Sequence, residues 1–206
     1  MPKLKLTYFD IHGGRGEPAR LAMYIGGVAF EDDRISFEQF GERRTGFPFT
    51  RIPVLDVDGI QLSQCNAISR YVGKLAGLYP TDPLQAAFCD EALDAVEDIV
   101  SKIGVTFSMT DEAERKAARK ALADGPITVY LQQLQAMLQA RGGKYFADGR
   151  LTIADLKVMV WIRNLRSGIL DHVPSDLPDK VAPLLVEHLA RIEGNPKVRE
   201  YYERSS

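Results

Sequence analysis

The segment 51–71, RIPVLDVDGIQLSQCNAISRY, constrains the fold of this 206-residue chain more than any other stretch. Near its start lies Ile52-Pro53, where the proline limits strand pairing on one side and is able to adopt the cis form. Short apolar runs flank Asp58-Gly59, a dipeptide that favours the tight turn between two antiparallel strands. The segment therefore predicts a β-hairpin, and apolar residues at helical spacing after it predict a helix.

The predicted helix opens on a polar tip, Ser-Gln-Cys-Asn. Ser63 and Asn66 are both frequent N-cap residues, so we expect the helix to begin beside one of them. The first N–H groups of a helix have no partner within the helix and lie at the positive end of its dipole, which suits a carboxylate ligand. A purely structural hairpin and capped helix would show the same pattern, so both interpretations stand at this point.

The order of residues in this segment resembles the glutathione-binding signature of the soluble glutathione transferases. One position departs from the signature, because the family usually has serine where this chain has Cys65. The resemblance implies a thioredoxin-like α/β domain followed by an all-α domain, with glutathione as cosubstrate. The positions that carry it are Ile52, Pro53, Val57, Asp58, Gly59, Leu62, Gln64, Cys65, Ala67, Ile68, Arg70 and Tyr71.

The composition is typical of a globular protein that binds neither nucleic acid nor membranes. Hydrophobic residues make up 45% of the chain, the net charge is −2, and no block of lysine and arginine occurs. The N-terminal MPKLKLTYF is too polar for a signal peptide, and no apolar run reaches about 18 residues. Two cysteines, Cys65 and Cys89, are too few for a disulfide framework, so we expect a cytoplasmic location.

The order of the predicted elements places an α/β domain before an all-helical one. Strands are predicted at 4–9 and 30–35, with a helix from Pro18 to Gly26-Gly27 between them and a short helix or loop at 37–44. Together with the hairpin they fit a thioredoxin-like sheet that contains parallel and antiparallel pairs. We expect the glutathione-binding domain at 1–78, a linker at 79–83 and the helical domain, with the hydrophobic substrate site, at 84–206.

The helical domain is predicted to contain five helices, at 84–104, 111–141, 152–165, 179–192 and 196–204, with a kink at Gly125-Pro126. The sequence LTIAD contains a capping box, in which Thr152 and Asp155 each bond the backbone of the other. The same box occurs at this place in glutathione transferases, so the resemblance extends over about residues 4–204.

Tyr8 is the candidate catalytic residue. It ends the first predicted strand beside a glycine-rich loop, where its hydroxyl could donate a hydrogen bond to a bound thiol and stabilise the nucleophilic thiolate. A tyrosine in a strand is otherwise a common core residue. The resemblance implies the catalytic role, because tyrosine-type transferases, including the sigma class, carry their tyrosine in this position, and no serine or cysteine lies between Tyr8 and Glu17.

Arg15 is the second catalytic candidate, since sigma-like transferases use an arginine shortly after the tyrosine to stabilise the thiolate. The loop is one residue longer here, so Arg15 matches only approximately and His12 could also contribute. The structural alternative is an arginine that forms a salt bridge with Glu17 or caps the loop.

The resemblance also implies the positions that surround glutathione. Ile52 would pair its backbone with the cysteinyl part of the tripeptide, and Gln64 and the Cys65 N–H would hold the γ-glutamyl carboxylate. Arg44 and Arg51 would meet the glycyl carboxylate, unless they are solvated surface charges. The full set is Tyr8, Phe40, Arg44, Arg51, Ile52, Pro53, Gln64, Cys65 and Asp98.

Cys65, the one position that departs from the glutathione-binding signature, has a chemical consequence. A thiol is a weaker hydrogen-bond donor than the usual serine hydroxyl, so we expect somewhat weaker glutathione binding unless the backbone contact dominates. A redox-sensitive thiol is the alternative, because a helix N-terminus lowers the pKa of a thiol.

The carboxylates of Asp94, Glu97 and Asp98 share one face of the helix predicted after the linker. Such a cluster is usually a solvated surface. The resemblance implies a homodimer in which Asp98 completes the glutathione site of the neighbouring subunit, with Arg70 as an interface partner of the acids. A divalent ion could bind the same cluster, although no metal is required for the implied activity.

The implied function is detoxification by conjugation of glutathione to small hydrophobic electrophiles. The second substrate would contact the apolar residues Phe9, Ile11, Ile103 and Phe107, with Tyr201 and Tyr202 as a lid. The alternatives are a glutathione-dependent isomerase or peroxidase and a non-catalytic ligand-binding relative. No tryptophan lies near Val105, where prostaglandin-isomerising sigma relatives have one, and this disfavours that isomerase activity.

Overall fold

The fold begins with a four-stranded mixed sheet. A computed structural model describes residues 2–204 of the chain. The sheet has the order β2-β1-β3-β4, in which β1 is parallel to β2 and antiparallel to β3, and β3 is antiparallel to β4. The predicted mixture of parallel and antiparallel pairs is confirmed. The strands are β1 (Leu4–Phe9), β2 (Glu31–Ile35), β3 (Val54–Val57) and β4 (Ile60–Ser63).

The hairpin predicted at Asp58-Gly59 joins β3 to β4. Asp58 has a φ of 52° and Gly59 a φ of 88°, so both turn residues are left-handed, as in a type I′ hairpin turn. The peptide bond between Ile52 and Pro53, just before β3, is cis. Both features agree with the predictions from the sequence.

Three helices accompany the sheet, and the region after them is helical. These three are α1 (Glu17–Gly26), α2 (Phe37–Arg43) and α3 (Cys65–Leu75). The later helices are α4 (Pro83–Gly104), α5 (Glu112–Leu122), α6 (Thr128–Ala140), α7 (Ile153–Arg166), α8 (Leu177–Val181), α9 (Pro183–Glu193) and α10 (Pro196–Arg204). The predicted fold class, α/β followed by all-α, is confirmed.

Two of the predicted long helices are interrupted at prolines. The helix expected at 111–141 is divided by a π-helical turn, Ala123–Ile127, which contains Gly125-Pro126, the dipeptide at which a kink was predicted. The prediction of a single helix at 179–192 is wrong. It is two helices, because Pro183 has no N–H and disfavours helical backbone at Ala182, whose φ is −149°.

Helix α7 lies at the centre of the molecule and contacts α1 of the first region together with α4 and α9 of the second. The predicted capping box starts it: the Thr152 N–H donates to the Asp155 carboxylate at 2.8 Å, and the other carboxylate oxygen accepts from the Phe146 N–H at 3.0 Å. Side chains of this helix are buried almost along its whole length, including Lys157 at 4% exposure. Within residues 2–204 no helix is both long and apolar enough to cross a membrane.

Candidate active site

A cleft of about 710 Å³ opens between the sheet and the C-terminal part of α4. Its walls come from the end of β1, the glycine-rich loop after it, the segment before β3, the start of α3 and one face of α4. Nine of the residues predicted from the sequence line it: Tyr8, Phe9, Arg15, Phe40, Arg51, Ile52, Pro53, Gln64 and Cys65.

Five other candidates lie outside this cleft. Arg44 donates to the Thr50 carbonyl at 3.3 Å, and Asp98 accepts from the Tyr130 hydroxyl at 3.5 Å. Ile103 is buried in the core, whereas Ile11 and Phe107 are exposed. The roles predicted for these residues stay predictions, and that of Asp98 requires a second subunit.

The Tyr8 side chain is buried at the base of the cleft with 6% of its surface exposed. Its hydroxyl oxygen accepts a hydrogen bond of 2.9 Å from the backbone N–H of Arg15. The loop approaches so closely that a Cβ on Gly14 would lie 2.6 Å from this oxygen, and one on Gly16 would lie 2.5 Å from the ring. Burial raises the pKa of Tyr8, so the phenol keeps its proton and can donate it in a hydrogen bond.

The partner of Arg15 is Glu97, and not Glu17 as one explanation from the sequence supposed. The Arg15 Nε lies 2.6 Å from a Glu97 carboxylate oxygen, and a terminal guanidinium nitrogen lies 3.3 Å from the Ser101 hydroxyl. Glu17 is fully buried, 3.6 Å from both Arg20 and His12. The guanidinium of Arg15 is therefore held beside the cleft by helix α4.

Glu97 also pairs with a lysine that sequence reasoning did not single out. Its second carboxylate oxygen lies 2.9 Å from the Nζ of Lys157 and accepts from the Cys65 thiol at 3.0 Å. Burial by itself would raise the pKa of Glu97, but Lys157, the Cys65 thiol and Arg15 outweigh it, and the pKa falls to about 2. Glu97 is therefore an anion with two cationic partners.

A sequence signal for the cleft-facing side of α4 was present. Glu97, Ser101 and Gly104 line the cleft at a spacing of four and three residues, which places them on one face of α4, and Ser108 lines it from the 3₁₀ turn after this helix. Asp98 is one residue further on and is turned away from Glu97 by about 100°. The acidic triplet alone does not define which face of α4 meets the cleft, whereas the spacing of these polar and small residues does.

The Cys65 thiol is turned into the protein rather than exposed as a reactive group. Its side chain is 7% exposed, and its sulfur lies 3.4 Å from the Nζ of Lys157 as well as 3.0 Å from Glu97. Burial raises the pKa of the thiol, which outweighs the nearby lysine and keeps the sulfur protonated. This environment disfavours the redox alternative considered for Cys65.

The start of α3 agrees with the prediction, but the predicted N-cap residues are wrong. Gln64, and not Ser63 or Asn66, occupies the N-cap position of α3, with φ 72° and ψ 114°. The Asn66 amide instead donates to the Leu93 carbonyl at 3.0 Å and to Asp94 at 2.7 Å. The unusual backbone of Gln64 leaves its exposed side chain at the cleft, next to the first N–H groups of α3.

Aromatic rings form one wall of the cleft. The Phe9 and Phe40 rings are 5.4 Å apart and edge-to-face, and Phe47 stacks on Phe40 at 6.4 Å. The lid expected from Tyr201 and Tyr202 lies elsewhere: Tyr201 packs on Tyr24, and Arg163 stacks on Tyr202.

Asp94, one member of the acidic cluster on α4, is paired with Arg70 within the same chain. Arg70 pairs with Asp90 at 2.7 Å and with Asp94 at 2.8 Å, although the sequence suggested it as an interface residue. Among the described residues, no group of three or more His, Cys, Asp or Glu side chains forms a metal site.

Comparison with known proteins identifies the family. The family model described as Glutathione S-transferase, N-terminal domain, matches residues 4–74, and that described as Glutathione S-transferase, C-terminal domain, matches residues 97–205. Glutathione S-transferase 1 of Ascaris suum is 31% identical over 204 residues, which cover 98% of this chain and 96% of that protein. The chain belongs to the glutathione S-transferase family.

Solved structures share the transferase fold. Prostaglandin synthase D of Nilaparvata lugens has a TM-score of 0.87 at 31% identity, with 98% of each chain covered. The sigma class transferase of Fasciola hepatica has a TM-score of 0.84 at 25% identity, with 100% of this chain and 97% of that one covered.

The chain is therefore a glutathione transferase: glutathione is its cosubstrate, and its reaction conjugates glutathione to an electrophile. A protonated phenol and a guanidinium lie together at the base of the cleft, and an aromatic wall stands beside them.

Proposed function

We propose that this transferase is of the tyrosine type and nearest to the sigma-like class, with Tyr8 as the residue that generates the glutathione thiolate. The hydrogen bond from the Arg15 N–H to the Tyr8 oxygen carries this proposal. It occupies one lone pair of the hydroxyl, so the remaining O–H proton is directed to another acceptor. The likeness to the Fasciola hepatica sigma class transferase supports the class.

In this mechanism the sulfur of glutathione accepts the hydrogen bond from Tyr8, and Arg15 contributes positive charge beside it. The stabilised thiolate then attacks the electrophilic carbon of the second substrate. A carbon–sulfur bond forms with the sulfur's electron pair, and the leaving group departs with the pair of the bond that breaks. The thiol proton of glutathione passes to solvent, whereas the Tyr8 proton is shared with the sulfur in a hydrogen bond and is not consumed.

The rest of the tripeptide would extend along the cleft between β3 and α3. The Ile52 backbone, ahead of Pro53, would bond the cysteinyl unit as a short added strand. Gln64 and the Cys65 N–H would bind the γ-glutamyl carboxylate, which suits the positive end of helix α3. Phe40 and Arg51 would lie beside the glycyl end, with Arg44 close by on the same loop.

The second substrate would be a small hydrophobic electrophile placed against Phe9. The edge-to-face aromatic rings of this wall suit flat apolar molecules, since aromatic pairs gain about 0.5–1.5 kcal/mol beyond their buried area. We place the transferase in cytoplasmic detoxification, on the predicted localisation and this apolar site. The proposed domains are 1–78 and 84–206 with a linker at 79–83, which fits the start of α4 at Pro83.

The proposed active unit is a homodimer. Asp98 is exposed on α4 and bonded only weakly to Tyr130 at 3.5 Å, so it could reach the γ-glutamyl amino group in a neighbouring subunit. This arrangement would complete each glutathione site with a carboxylate from the other chain.

A glutathione-dependent isomerase is the second candidate. The likeness to prostaglandin synthase D of Nilaparvata lugens favours it, and the first half of the mechanism, thiolate formation at Tyr8, would be shared. Val105, at the cleft, is not the tryptophan expected of prostaglandin-isomerising relatives, which favours conjugation.

Substitution of Tyr8→Phe tests the proposal. We expect turnover with 1-chloro-2,4-dinitrobenzene to fall about 10- to 100-fold with glutathione affinity nearly intact, because one hydrogen bond to a charged group is removed. Tyr24→Phe, in α1 and outside the cleft, is the matched control and should keep normal turnover. Unchanged turnover in Tyr8→Phe would remove Tyr8 from the mechanism.

A further inference from the structure

Lys157 belongs to α7, the central helix of the molecule, and its charged side chain is buried. Its exposure is 4%, and its neighbours in α7, Leu156 and Val158, are fully buried. A buried ammonium group is costly unless it is paired and hydrogen-bonded. Lys157 meets this condition through Glu97 at 2.9 Å and Cys65 at 3.4 Å, so its charge is tied to the base of the cleft.

Each carboxylate oxygen of Glu97 bonds a different cation. One oxygen bonds the Arg15 Nε at 2.6 Å, and the other bonds the Lys157 Nζ at 2.9 Å. Arg15 and Glu97 alone would form a pair of zero net charge, and the field of the guanidinium would be largely cancelled at the cleft. With Lys157 included, the cluster carries a net charge of about +1.

The other charged and titratable groups around this cluster do not replace that contribution. Arg20, from α1, lies 5.7 Å from the Tyr8 ring, but its charge is offset by Asp32 at 2.8 Å and Glu17 at 3.6 Å. The Cys65 thiol from α3 is protonated, and Ser101 from α4 is neutral.

We propose that Lys157 is a positioning residue for the transfer reaction: it offsets the charge of Glu97, so that Arg15 keeps a positive field beside the Tyr8 hydroxyl, where the glutathione sulfur binds. This inference rests on the proposed role of Tyr8 as the residue that generates the thiolate. Lys157 acts from behind the site, through Glu97, and contacts no substrate.

The test is an ultraviolet titration of the thiolate of bound glutathione, at saturating glutathione, in four forms of the enzyme. In Lys157→Met the thiol pKa should rise by about 0.5 to 1 unit relative to wild type, because one positive charge is lost near the sulfur. Lys157→Arg should restore the wild-type value. Glu97→Gln removes the negative charge and keeps both cations, so the thiol pKa should stay the same or fall.

A merely structural role for Lys157 predicts a different pattern, in which Lys157→Met and Glu97→Gln both impair the site and both raise the thiol pKa. That pattern would overturn the inference. If Lys157→Met fails to fold, Lys157→Gln keeps a donor to Glu97 without the charge and should raise the thiol pKa with the same sign. A folded Lys157→Gln with the wild-type thiol pKa would equally overturn it.

The same titration separates this inference from the proposed function. Suppose that wild type holds a thiolate, that Tyr8→Phe loses it, and that the Lys157 variants keep the wild-type thiol pKa. This result contradicts only the role proposed for Lys157. Bound glutathione without any thiolate in wild type contradicts both.

Discussion

The backbone N–H of Arg15 donates to the hydroxyl oxygen of Tyr8 at 2.9 Å, so the loop that carries the guanidinium also orients the phenol. This arrangement needs a very close approach of the loop to the ring, and two glycines permit it. The geometry at the base of the cleft therefore depends on two glycines, which have no reactive side chain.

Gly16→Ala should damage the site through Tyr8. The new Cβ would lie 2.5 Å from Cγ of the Tyr8 ring and 2.8 Å from its Cβ, which are the fixed base of that side chain. We expect a loss of about 1–3 kcal/mol in the free energy of unfolding together with reduced turnover. The measurements are urea unfolding and steady-state kinetics.

Gly41→Ala is the matched control, because it lies in helix α2 with nothing within 4 Å of the added Cβ. It should raise the free energy of unfolding by up to about 1 kcal/mol through helix propensity. A Gly16→Ala variant as stable and active as wild type would contradict the close packing described for the loop.

Cys65→Ser should leave the glutathione affinity within about twofold of wild type, because the side chain at this position donates to Glu97 and the backbone N–H at the start of α3 would bind the carboxylate. Isothermal titration calorimetry measures the affinity, and Cys65→Ala, which keeps the same backbone N–H, should also bind like wild type. A serine variant that binds about fivefold more tightly than wild type would show that the side chain, and not the backbone alone, binds the carboxylate.

Much of the fold follows from local sequence, whereas the charged cluster of the cleft does not. The turn at Asp58-Gly59 and the box at Thr152 are formed by residues within a few positions of each other, so propensity and spacing predict them. Arg15 and Glu97 are 82 positions apart, and Glu97 and Lys157 are 60 apart. Only the packing of α4 and α7 against the glycine-rich loop brings them together.

The sequence predicts a residue's position at the cleft best where the local backbone determines that position. Ile52, Pro53 and Gln64 stand beside a hairpin that fixes their position, and all three line the cleft. Whether Glu97 or Asp98 faces the cleft of its own chain depends on the rotation of α4 about its axis, and the acidic triplet alone does not define that rotation. Lys157 was missed because it stands in an apolar helix whose other residues indicate only a core.

Asp98→Ala should raise the KM for glutathione several-fold while the protein stays a dimer in analytical ultracentrifugation. The physical reason is the loss of one ion pair with the γ-glutamyl amino group, worth about 1 kcal/mol or more. An unaltered KM would assign the role to a neighbour such as Asp94.

A heterodimer shows whether Asp98 acts across the subunits. One chain carries Tyr8→Phe and the other Asp98→Ala, so the one intact Tyr8 receives Asp98 only from its partner. The proposed arrangement predicts normal glutathione affinity at this site. A weakened site would mean that Asp98 acts within its own chain.

Glu97 should give the protein a pH-dependent stability. Its pKa is lowered from 4.5 to about 2, so its stabilising contribution is fully present above about pH 4.5 and is lost as the pH falls through about 2. The free energy of unfolding of wild type should exceed that of Glu97→Gln by about 1–3 kcal/mol at pH 6, and the difference should shrink between pH 4.5 and 2. Glu187→Gln, at an exposed position on α9, should show little difference at any pH. A gap between wild type and Glu97→Gln that is constant down to pH 2 would contradict the lowered pKa.

The most direct test of the account is an ultraviolet difference titration of glutathione bound to wild type and to Tyr8→Phe, with thiolate absorbance followed against pH. A free thiol titrates near 8.5, and we predict a value about two units lower in wild type, corresponding to about 2.7 kcal/mol of stabilisation. In Tyr8→Phe most of this shift should disappear while glutathione still binds. A bound thiol that titrates like free glutathione in wild type, or an equal shift in both proteins, would contradict the role of Tyr8.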